Sequence, residues 1–219
     1  MPRRPRQNET IEDLNIWSAY TDLMSNTLMI LVIFFLLATL KPTLEKIFNQ
    51  NEKPTEAPPI IVIQNTGAYQ FGSGSADLPP PLISYIFNKL VNQIEQNAKT
   101  YQIDVVEVIG HTDGQSNSGS ASNLDQFLEQ AAQGNINAGS LRPGSNADLG
   151  LMRSLAVVRI LQQIQQKKGR LQGLTFRAYS AAQLISPSGK IAEINRTADP
   201  TRRRIEIRFT RLGKVTNVQ

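Results

Sequence analysis

A single acidic residue interrupts the most apolar stretch of this chain. Residues 17–40 read WSAYTDLMSNTLMILVIFFLLATL, and Asp22 carries the only formal charge among them. Ser18, Ser25 and Asn26 stand four residues before it and three and four after it, so a helix would place all four polar side chains on one face. A carboxylate in that setting could take up and release a proton, or pair transiently with a cation.

The element that carries Asp22 is predicted to be a transmembrane helix. A helix of about 24 residues spans about 36 Å, which is enough to cross a bilayer. A charge at the centre of such a helix costs about 2.5–3.5 kcal/mol, so Asp22 is expected to face protein or a water-filled cavity. The alternative places Asp22 among the headgroups, because Trp17 and Tyr20 suit an interfacial belt.

The flanks of this helix predict its orientation. Arg3, Arg4 and Arg6 precede it, so the positive-inside rule places residues 1–16 in the cytoplasm and the bulk of the chain in the periplasm. No small-residue cleavage site follows the apolar run, which continues as Lys41-Pro42-Thr43. We therefore expect a retained anchor and a single-pass protein of the inner membrane.

Composition narrows the function classes. The 219 residues suffice for one membrane span and one domain of about 150 residues. There is no Cys and only one His, and the sequence shows no nucleophile–base pair and no cluster of metal-ligand residues. We expect no enzyme, no cofactor and no metal site. The net charge of +5 permits nucleic-acid binding, but the expected external location argues against it.

The segment after the span is predicted to be a linker. Residues 49–59 are polar and Pro-rich, and we take 41–59 as the whole linker. Leu44, Ile47 and Phe48 are spaced i, i+3 and i+4, as in a short amphipathic helix. Such a helix could act as a plug or could be a plain juxtamembrane helix, and the sequence favours neither.

Residues 60–219 are predicted to form one α/β domain. Four runs have the composition of strands, at 60–63, 104–109, 174–179 and 204–209. In the last run Ile205, Ile207 and Phe209 alternate with Arg204, Glu206 and Arg208. Because helical patterns separate the strands, we expect a βαβαβ-type sandwich in which helices cover one face of a mixed sheet.

Three helices are predicted within this domain. The first opens at Pro79–Pro81, and the second is a short helix inside a polar insert at 115–145. The third is long, with Asn146 as its cap and Gly169 just past its end. Each prediction is based on a set of apolar residues at helical spacing. The three sets are Ile83, Ile86, Phe87, Leu90 and Ile94; Leu124, Phe127, Leu128 and Ala131; and Leu149, Met152, Ala156, Val157, Ile160, Leu161 and Ile164.

Taken alone, the polar residues of this domain have ordinary structural interpretations. Asp113 before Gly114 is typical of a turn, and Arg153 could cover apolar surface with its stem. His111 is expected to pack or to hydrogen-bond near a strand end. Arg202–Arg204 could be a solvated strand edge or a contact for an acidic glycan-peptide partner.

The motifs together resemble a known arrangement. The apolar helix resembles that of MotB-type stator B subunits, and four further motifs resemble those of OmpA-like peptidoglycan-binding domains. The five motifs are, in chain order, Trp17-x-x-Tyr20-x-Asp22-x-Met24, Phe71-x-Ser73-Gly74-Ser75-Ala76-x-Leu78, Gly110-His111-Thr112-Asp113, Asn146-x-x-Leu149-Gly150-x-x-Arg153-Ser154 and Arg203-Arg204-Ile205-Glu206.

The resemblance implies roles and partners. Asp22 would carry the ion through a pathway lined by Ser18, Ser25 and Asn26, inside a ring of MotA-like polytopic subunits that surrounds a homodimer of this chain. Asp113 and Arg153, with Thr112, would bind the ammonium and carboxylate of a diaminopimelate-type peptide stem in peptidoglycan. A zwitterion needs one cationic and one anionic partner close together.

The sequence departs from the family pattern at three points. The insert at 115–145 is longer than usual, Gly150 replaces a usual Ser, and Arg202 replaces a usual Asn. The insert and the short linker favour a non-flagellar motor, such as the Zorya anti-phage systems, where the chain would be a ZorB-like subunit with a ZorA-like partner. A flagellar MotB-type stator and a purely structural membrane-to-peptidoglycan tether are the alternatives. The choice between H⁺ and Na⁺ is left open.

Overall fold

The structure is a computed structural model that describes residues 9–51, 56–117, 121–213 and 216. Within the N-terminal helix, side chains are described from residue 17 to residue 41. The chain forms two compact units, residues 1–53 and 54–219, and each is described by itself.

The N-terminal unit is a long helix, α1 (Glu9–Asn51). Its segment Trp17–Lys41 is long and apolar enough to cross a membrane, by length and composition. The helix runs past the apolar segment at both ends, so residues 44–48 continue α1 instead of forming a separate short helix. The amphipathic face proposed for Leu44, Ile47 and Phe48 lies outside the described side chains.

The C-terminal unit is built on a mixed four-stranded sheet, as predicted. Its strands are β1 (Ile61–Gln64), β2 (Val105–His111), β3 (Thr175–Ala182) and β4 (Arg204–Thr210). Their order is β1-β4-β2-β3. β4 is antiparallel to both β1 and β2, whereas β2 and β3 are parallel.

Four α-helices and two short 3₁₀ helices (Gly67–Tyr69 and Ala138–Ser140) lie in the described residues of this unit. The α-helices are α2 (Pro80–Tyr85) and α3 (Val91–Tyr101), joined by a π-helical turn over Ile86–Leu90, then α4 (Leu124–Gln133) and α5 (Asn146–Lys168). Gly169 ends α5 in the left-handed conformation, at φ 64°, which a residue without Cβ adopts at little cost.

The cap of α5 differs from the prediction. Ser145, not Asn146, is the capping residue, because its backbone is extended and its hydroxyl accepts a hydrogen bond from the Asp148 N–H at 3.2 Å. Asn146 is the first helical residue, and its side chain is therefore free to bond elsewhere.

The prediction that Phe87 lies on the buried face is wrong. The buried positions are Leu82, Ile86, Leu90, Val91 and Ile94, while the Phe87 side chain is 40% exposed. The π-helical turn changes the number of residues per turn, so the regular 3.6-residue spacing assumed from the sequence does not continue through it.

The main core lies between the sheet and α2, α3 and α5. Ile205, Ile207 and Phe209 of β4 face it, together with Val106 and Val108 of β2. Alternation along β4 turns Arg204 and Glu206 to the opposite face of the sheet. Helices on one face of a mixed sheet are the predicted architecture.

The polar insert builds a second, smaller core. Leu124 and Ala131 of α4 and Leu141 pack with Met152 and Leu155 of α5. The side chains of α5 are therefore buried on two sides, and Leu155 and Val158 are buried in addition to the predicted positions. Ile160 is only half-buried.

A close backbone contact joins β2 to α5. A Cβ added at Gly110 would lie 2.0 Å from the Gly150 carbonyl oxygen, and one added at Gly150 would lie 2.3 Å from Ser180 Oγ. Only residues without a side chain allow the strand and the helix to approach this closely. This packing accounts for Gly150.

We predict that Gly110→Ala destabilises the protein by at least about 1–3 kcal/mol, because the methyl group meets backbone that cannot rotate away. Urea unfolding of the full-length chain in detergent micelles, followed by circular dichroism, measures this change. Gly213→Ala is the matched control, since a Cβ there meets nothing within 4 Å. Equal unfolding midpoints for the two variants would contradict the prediction.

Candidate functional site

The close contact of β2 and α5 brings three predicted residues to one pocket. Asp113 follows Gly110 by three residues, and Arg153 follows Gly150 by three residues, so both lie near the crossing. Thr112, Asp113 and Arg153 all line a pocket of about 150 Å³. The remaining lining residues are Asn65, Gln70, Phe71, Gly72, Ser73, Gly74, Gln115, Ser116, Asn117, Asn146, Leu149 and Arg203.

Asp113 is nearly buried and already has backbone partners. Its Oδ1 accepts a hydrogen bond from the Gln115 N–H at 3.3 Å, and its Oδ2 accepts one from the Asp199 N–H at 3.1 Å. Arg203 Nε lies 3.8 Å from Oδ2. The carboxylate therefore forms a turn, as its sequence context indicates, and also contributes negative charge to the pocket wall.

Arg153 is buried against the loop that forms the opposite wall. Its Nε donates to the Ser75 carbonyl and its Nη2 to the Gly72 carbonyl, each at 3.0 Å. The guanidinium carbon lies 5.0 Å from the centre of the Phe71 ring, within the range of a cation–π contact. Burial lowers the pKa of Arg153 to about 10, with a further contribution from the charge of Arg203, and Asp113 acts in the opposite direction. The side chain remains cationic at neutral pH.

Two lining residues have buried polar atoms without a hydrogen-bond partner in the part of the chain that the structure describes. The Thr112 hydroxyl is buried and has no hydrogen-bond partner among the described residues, and the same holds for Arg203 Nε. The Thr112 N–H donates to the Ala182 carbonyl at 2.9 Å, which fixes its backbone. Because buried polar groups are normally paired, these atoms are candidates for ligand contacts.

Sequence reasoning missed the roles of Asn65 and of the Asn146 side chain, and it left Arg203 open between a solvated edge and a ligand contact. The Asn146 amide donates to the Asp113 and Gln115 carbonyls at 3.3 and 2.9 Å. Asn65 Oδ1 accepts from the Phe71 N–H. Arg203 lies in the motif of the closing strand, but only the pairing of β4 with β2 shows that it faces the pocket.

The solvated-edge interpretation of Arg202–Arg204 is wrong for two of the three residues. Arg202 and Arg204 are buried, with 7% and 2% exposure. Arg204 donates from Nε to Glu206 Oε1 at 2.8 Å and from Nη2 to the Ser186 carbonyl at 3.1 Å. The loop that carries Ser186 covers this end of the sheet, and the sequence alone does not show that coverage.

His111 belongs to the same buried charge network. Its Nε2 lies 3.3 Å from Glu206 Oε1, and its side chain is almost wholly buried. Burial lowers the pKa of His111 to about 4, the charge of Arg204 lowers it further, and Glu206 opposes the shift. His111 is therefore neutral at neutral pH, and packing is the role that this environment supports.

The four candidate ion-path residues lie on α1. Ser18, Asp22, Ser25 and Asn26 are all exposed and share one helix face by their spacing. Thr27 turns its hydroxyl back to the Leu23 carbonyl at 2.7 Å. Among the described residues there is no group of three or more His, Asp or Glu that could hold a metal ion.

We predict that acid destabilises the protein through His111. Its folded-state pKa lies below its unfolded value, so its stabilising contribution is complete above about pH 6.5 and is lost as the pH falls towards about 4. Between about pH 7.5 and pH 5 the free energy of unfolding should fall by about 2 kcal/mol. Urea unfolding of the full-length chain in micelles at the two pH values measures this.

The control for this prediction is His111→Gln, which removes the titrating group. Burial acts to raise the pKa of Glu206, but the hydrogen bonds from Arg208 and Arg204 hold it below its ordinary value. Glu206 therefore loses its contribution only at lower pH. The same pH dependence in the wild type and in His111→Gln would overturn the assignment.

No family model and no curated protein matches the sequence. Solved structures that resemble it include a MotB-like protein from Desulfovibrio vulgaris, at 17% identity, covering 71% of this chain and 74% of that one, with a TM-score of 0.41. The periplasmic domain of Helicobacter pylori MotB matches at 16% identity, covering 72% and 86%, with a TM-score of 0.43. The OmpA-like domain of FopA1 from Francisella tularensis matches at 14% identity, covering 70% and 77%, with a TM-score of 0.32.

Proposed function

We propose that this chain is a subunit of an ion-driven rotary motor and is anchored to peptidoglycan through its C-terminal unit. The observation that carries the proposal is the pocket in which Asp113 stands beside Arg153 and Arg203. A carboxylate next to guanidinium groups, at the edge of a folded unit, suits a ligand that carries both an ammonium and a carboxylate. The diaminopimelate-type stem of peptidoglycan has both groups.

The same proposal assigns a role to α1. Residues 17–40 cross the inner membrane, residues 1–16 are cytoplasmic, residues 41–59 are the connection, and the domain at 60–219 is periplasmic. Asp22 carries the ion, and Ser18, Ser25 and Asn26 line its path. The polar face of α1 supports this assignment, because an acid within a membrane span normally faces a pathway or a partner and not lipid.

The mechanism needs a partner. Two copies of this chain stand inside a ring of MotA-like polytopic subunits, and each ion that Asp22 accepts and releases advances the ring by one contact. One elementary charge that crosses 100 mV releases about 2.3 kcal/mol. The wall contact keeps the two copies from turning with the ring. We favour a non-flagellar motor of the Zorya anti-phage type, with a ZorA-like partner.

A second candidate function is a passive tether between membrane and peptidoglycan. It is favoured by the fact that the pocket is a built feature of the C-terminal unit and needs nothing from α1. In that case Asp22 would be dispensable, and no polytopic partner would copurify with the protein.

We predict that Asp113→Asn weakens binding to purified peptidoglycan sacculi by about tenfold or more, since it removes the charge that meets the ammonium. Its Oδ1 can still accept one backbone hydrogen bond, so the fold should persist. Sedimentation of the full-length protein with sacculi measures binding. Glu129→Gln, an exposed acid on α4, is the matched control, and equal binding by both variants would refute the role of Asp113.

We predict that Asp22→Asn abolishes ion flux but leaves the assembly intact. The protein would be purified from native membranes with its partner, identified by mass spectrometry, and reconstituted into vesicles with a pH-sensitive dye. Asp13→Asn, outside the apolar span, is the control with the same charge loss. Flux retained in Asp22→Asn would exclude the ion-carrier role, and the lack of any polytopic partner would favour the tether. Replacing H⁺ gradients with Na⁺ gradients identifies the ion.

A further inference from the structure

Arg202 and Arg204 are both buried, but they differ in their counter-charges. Arg204 forms an ion pair with the Glu206 carboxylate at 2.7 Å. Arg202 is 7% exposed, and among the described residues no carboxylate oxygen lies within ion-pair distance of its guanidinium. A buried charge is costly unless it is paired. Arg202 therefore calls for an anionic partner that the described part of the chain does not supply.

The Arg202 guanidinium is only partly engaged in hydrogen bonds. Its Nη2 donates to the Gln183 carbonyl. Its Nη1 lies 3.5 Å from the position that a Cβ of Gly114 would take, so this nitrogen packs close to the backbone. Its Nε is buried and has no acceptor within the part of the chain that the structure describes. Because a guanidinium has five N–H donors, Arg202 has donors left for a ligand.

A pocket of about 400 Å³ lies beside this side chain. Its walls are formed by Arg202, Thr201 and the loop of residues 183–199, here called the covering loop. The covering loop has a defined shape, because Ile185 pairs with Ile191 in an antiparallel bridge. This pocket shares no lining residue with the pocket of the candidate site. It is a separate cavity on a different part of the surface.

Lys190 supplies a second cation to this pocket. It lies in the covering loop and lines the cavity. Its side chain is exposed, and it takes part in no ion pair among the described residues. A guanidinium and an ammonium on the walls of one cavity suit an oxyanion group, which accepts hydrogen bonds from both.

Two acids line the same pocket and restrict what the rest of the ligand can be. Asp199 Oδ1 accepts hydrogen bonds from the Thr201 N–H at 3.0 Å and from the Thr201 hydroxyl at 2.6 Å. The hydroxyl bond lowers the pKa of Asp199, burial opposes this effect, and the charge of Arg202 lowers the pKa further. Glu193 is exposed. Both acids are anionic at neutral pH, so they require hydrogen-bond donors from a ligand.

We propose that this pocket is a second ligand site, which binds an oxyanion group through Arg202 and Lys190. The group is a carboxylate or a phosphate on a larger polar molecule, whose hydroxyl or amide groups meet Asp199 and Glu193. The observation that carries the inference is the buried guanidinium without a counter-charge. The site uses no residue of α1 and none of the candidate site, so it goes beyond the proposed function.

The test compares two small anions, inorganic phosphate and acetate, with chloride. Urea unfolding of the full-length chain in micelles is measured over a series of concentrations of each anion. Sodium chloride at the same ionic strength is the reference, because it screens surface charges to the same extent. A probe at about ten times its Kd should raise the folding equilibrium constant of the wild type about tenfold. A larger effect of phosphate indicates a phosphorylated ligand, and a larger effect of acetate indicates a carboxylated one.

The variants assign this effect to the pocket. Arg202→Gln should abolish it, and Lys190→Gln should reduce it by about two- to fivefold, as expected for an exposed charge. Arg202→Lys should reduce it as well, since an ammonium lacks the two-pronged donor, and this variant serves if Arg202→Gln does not fold. General stabilisation by phosphate, which is excluded from protein surfaces, is the same in all variants and cancels.

Two further variants are controls. Arg196→Gln removes an exposed charge from the covering loop without touching the pocket, so it should keep the full anion effect. Arg203→Gln reports on the pocket of the candidate site, which Arg203 lines, and it should also keep the effect. An effect that is lost in Arg203→Gln but kept in the Arg202 variants would place the anion in the candidate site and overturn the proposal.

Three other outcomes would also overturn it. One is a wild type whose stability responds to phosphate and acetate no more than to chloride. Another is an unchanged effect in an Arg202 variant that folds, or in Lys190→Gln. The third is an equal reduction in Arg196→Gln and Lys190→Gln, because this would show only a general attraction of anions to the covering loop.

Discussion

The contact of β2 with α5 at Gly110 and Gly150 is the constraint on which the candidate site depends. The Gly110 position lies so close to the Gly150 carbonyl that no side chain fits at either residue. This contact fixes the distance between the end of β2 and the start of α5. Asp113 follows Gly110 by three residues, and Arg153 follows Gly150 by three residues. A small increase in that spacing would separate Asp113 from the wall that Arg153 holds, without changing any residue of the pocket.

The face of the sheet away from the helices is stabilised by charges instead of apolar packing. Glu206 accepts hydrogen bonds from Arg204 and Arg208 and has His111 beside it. One buried carboxylate therefore contacts several cationic or polar neighbours. Arg204 also donates hydrogen bonds to the carbonyls of Ile185 and Ser186 in the covering loop. Removing the carboxylate would leave the buried guanidinium of Arg204 without its counter-charge, which is far costlier than removing a surface ion pair.

Much of the C-terminal unit could be predicted from the sequence. The alternating residues of β4 and the long apolar pattern of α5 are strong local signals. They correctly predicted a mixed sheet and the long helix α5. The misplaced Phe87 depends on a π-helical turn, which no residue pattern encodes strongly. The cap was assigned one residue too late, although Ser145-x-x-Asp148 is a capping pattern. The motifs brought Thr112, Asp113 and Arg153 together only through a family resemblance. The sequence could not separate Arg203, which lines the pocket, from its two neighbours, because that difference depends on strand register. The burial of Arg202 and Arg204 depends on a distant loop that covers them.

The two cores that share α5 have a mechanical consequence. A load applied to a ligand in the pocket would enter the fold through the first turns of α5 and through the loop that Arg153 holds. Met152 and Leu155 would pass part of that load to the insert, while Val157 and Leu161 would pass the rest to the sheet. The insert would therefore support α5 from a second side. A helix that packs in two cores should separate from the sheet less easily under load than a helix that packs in one.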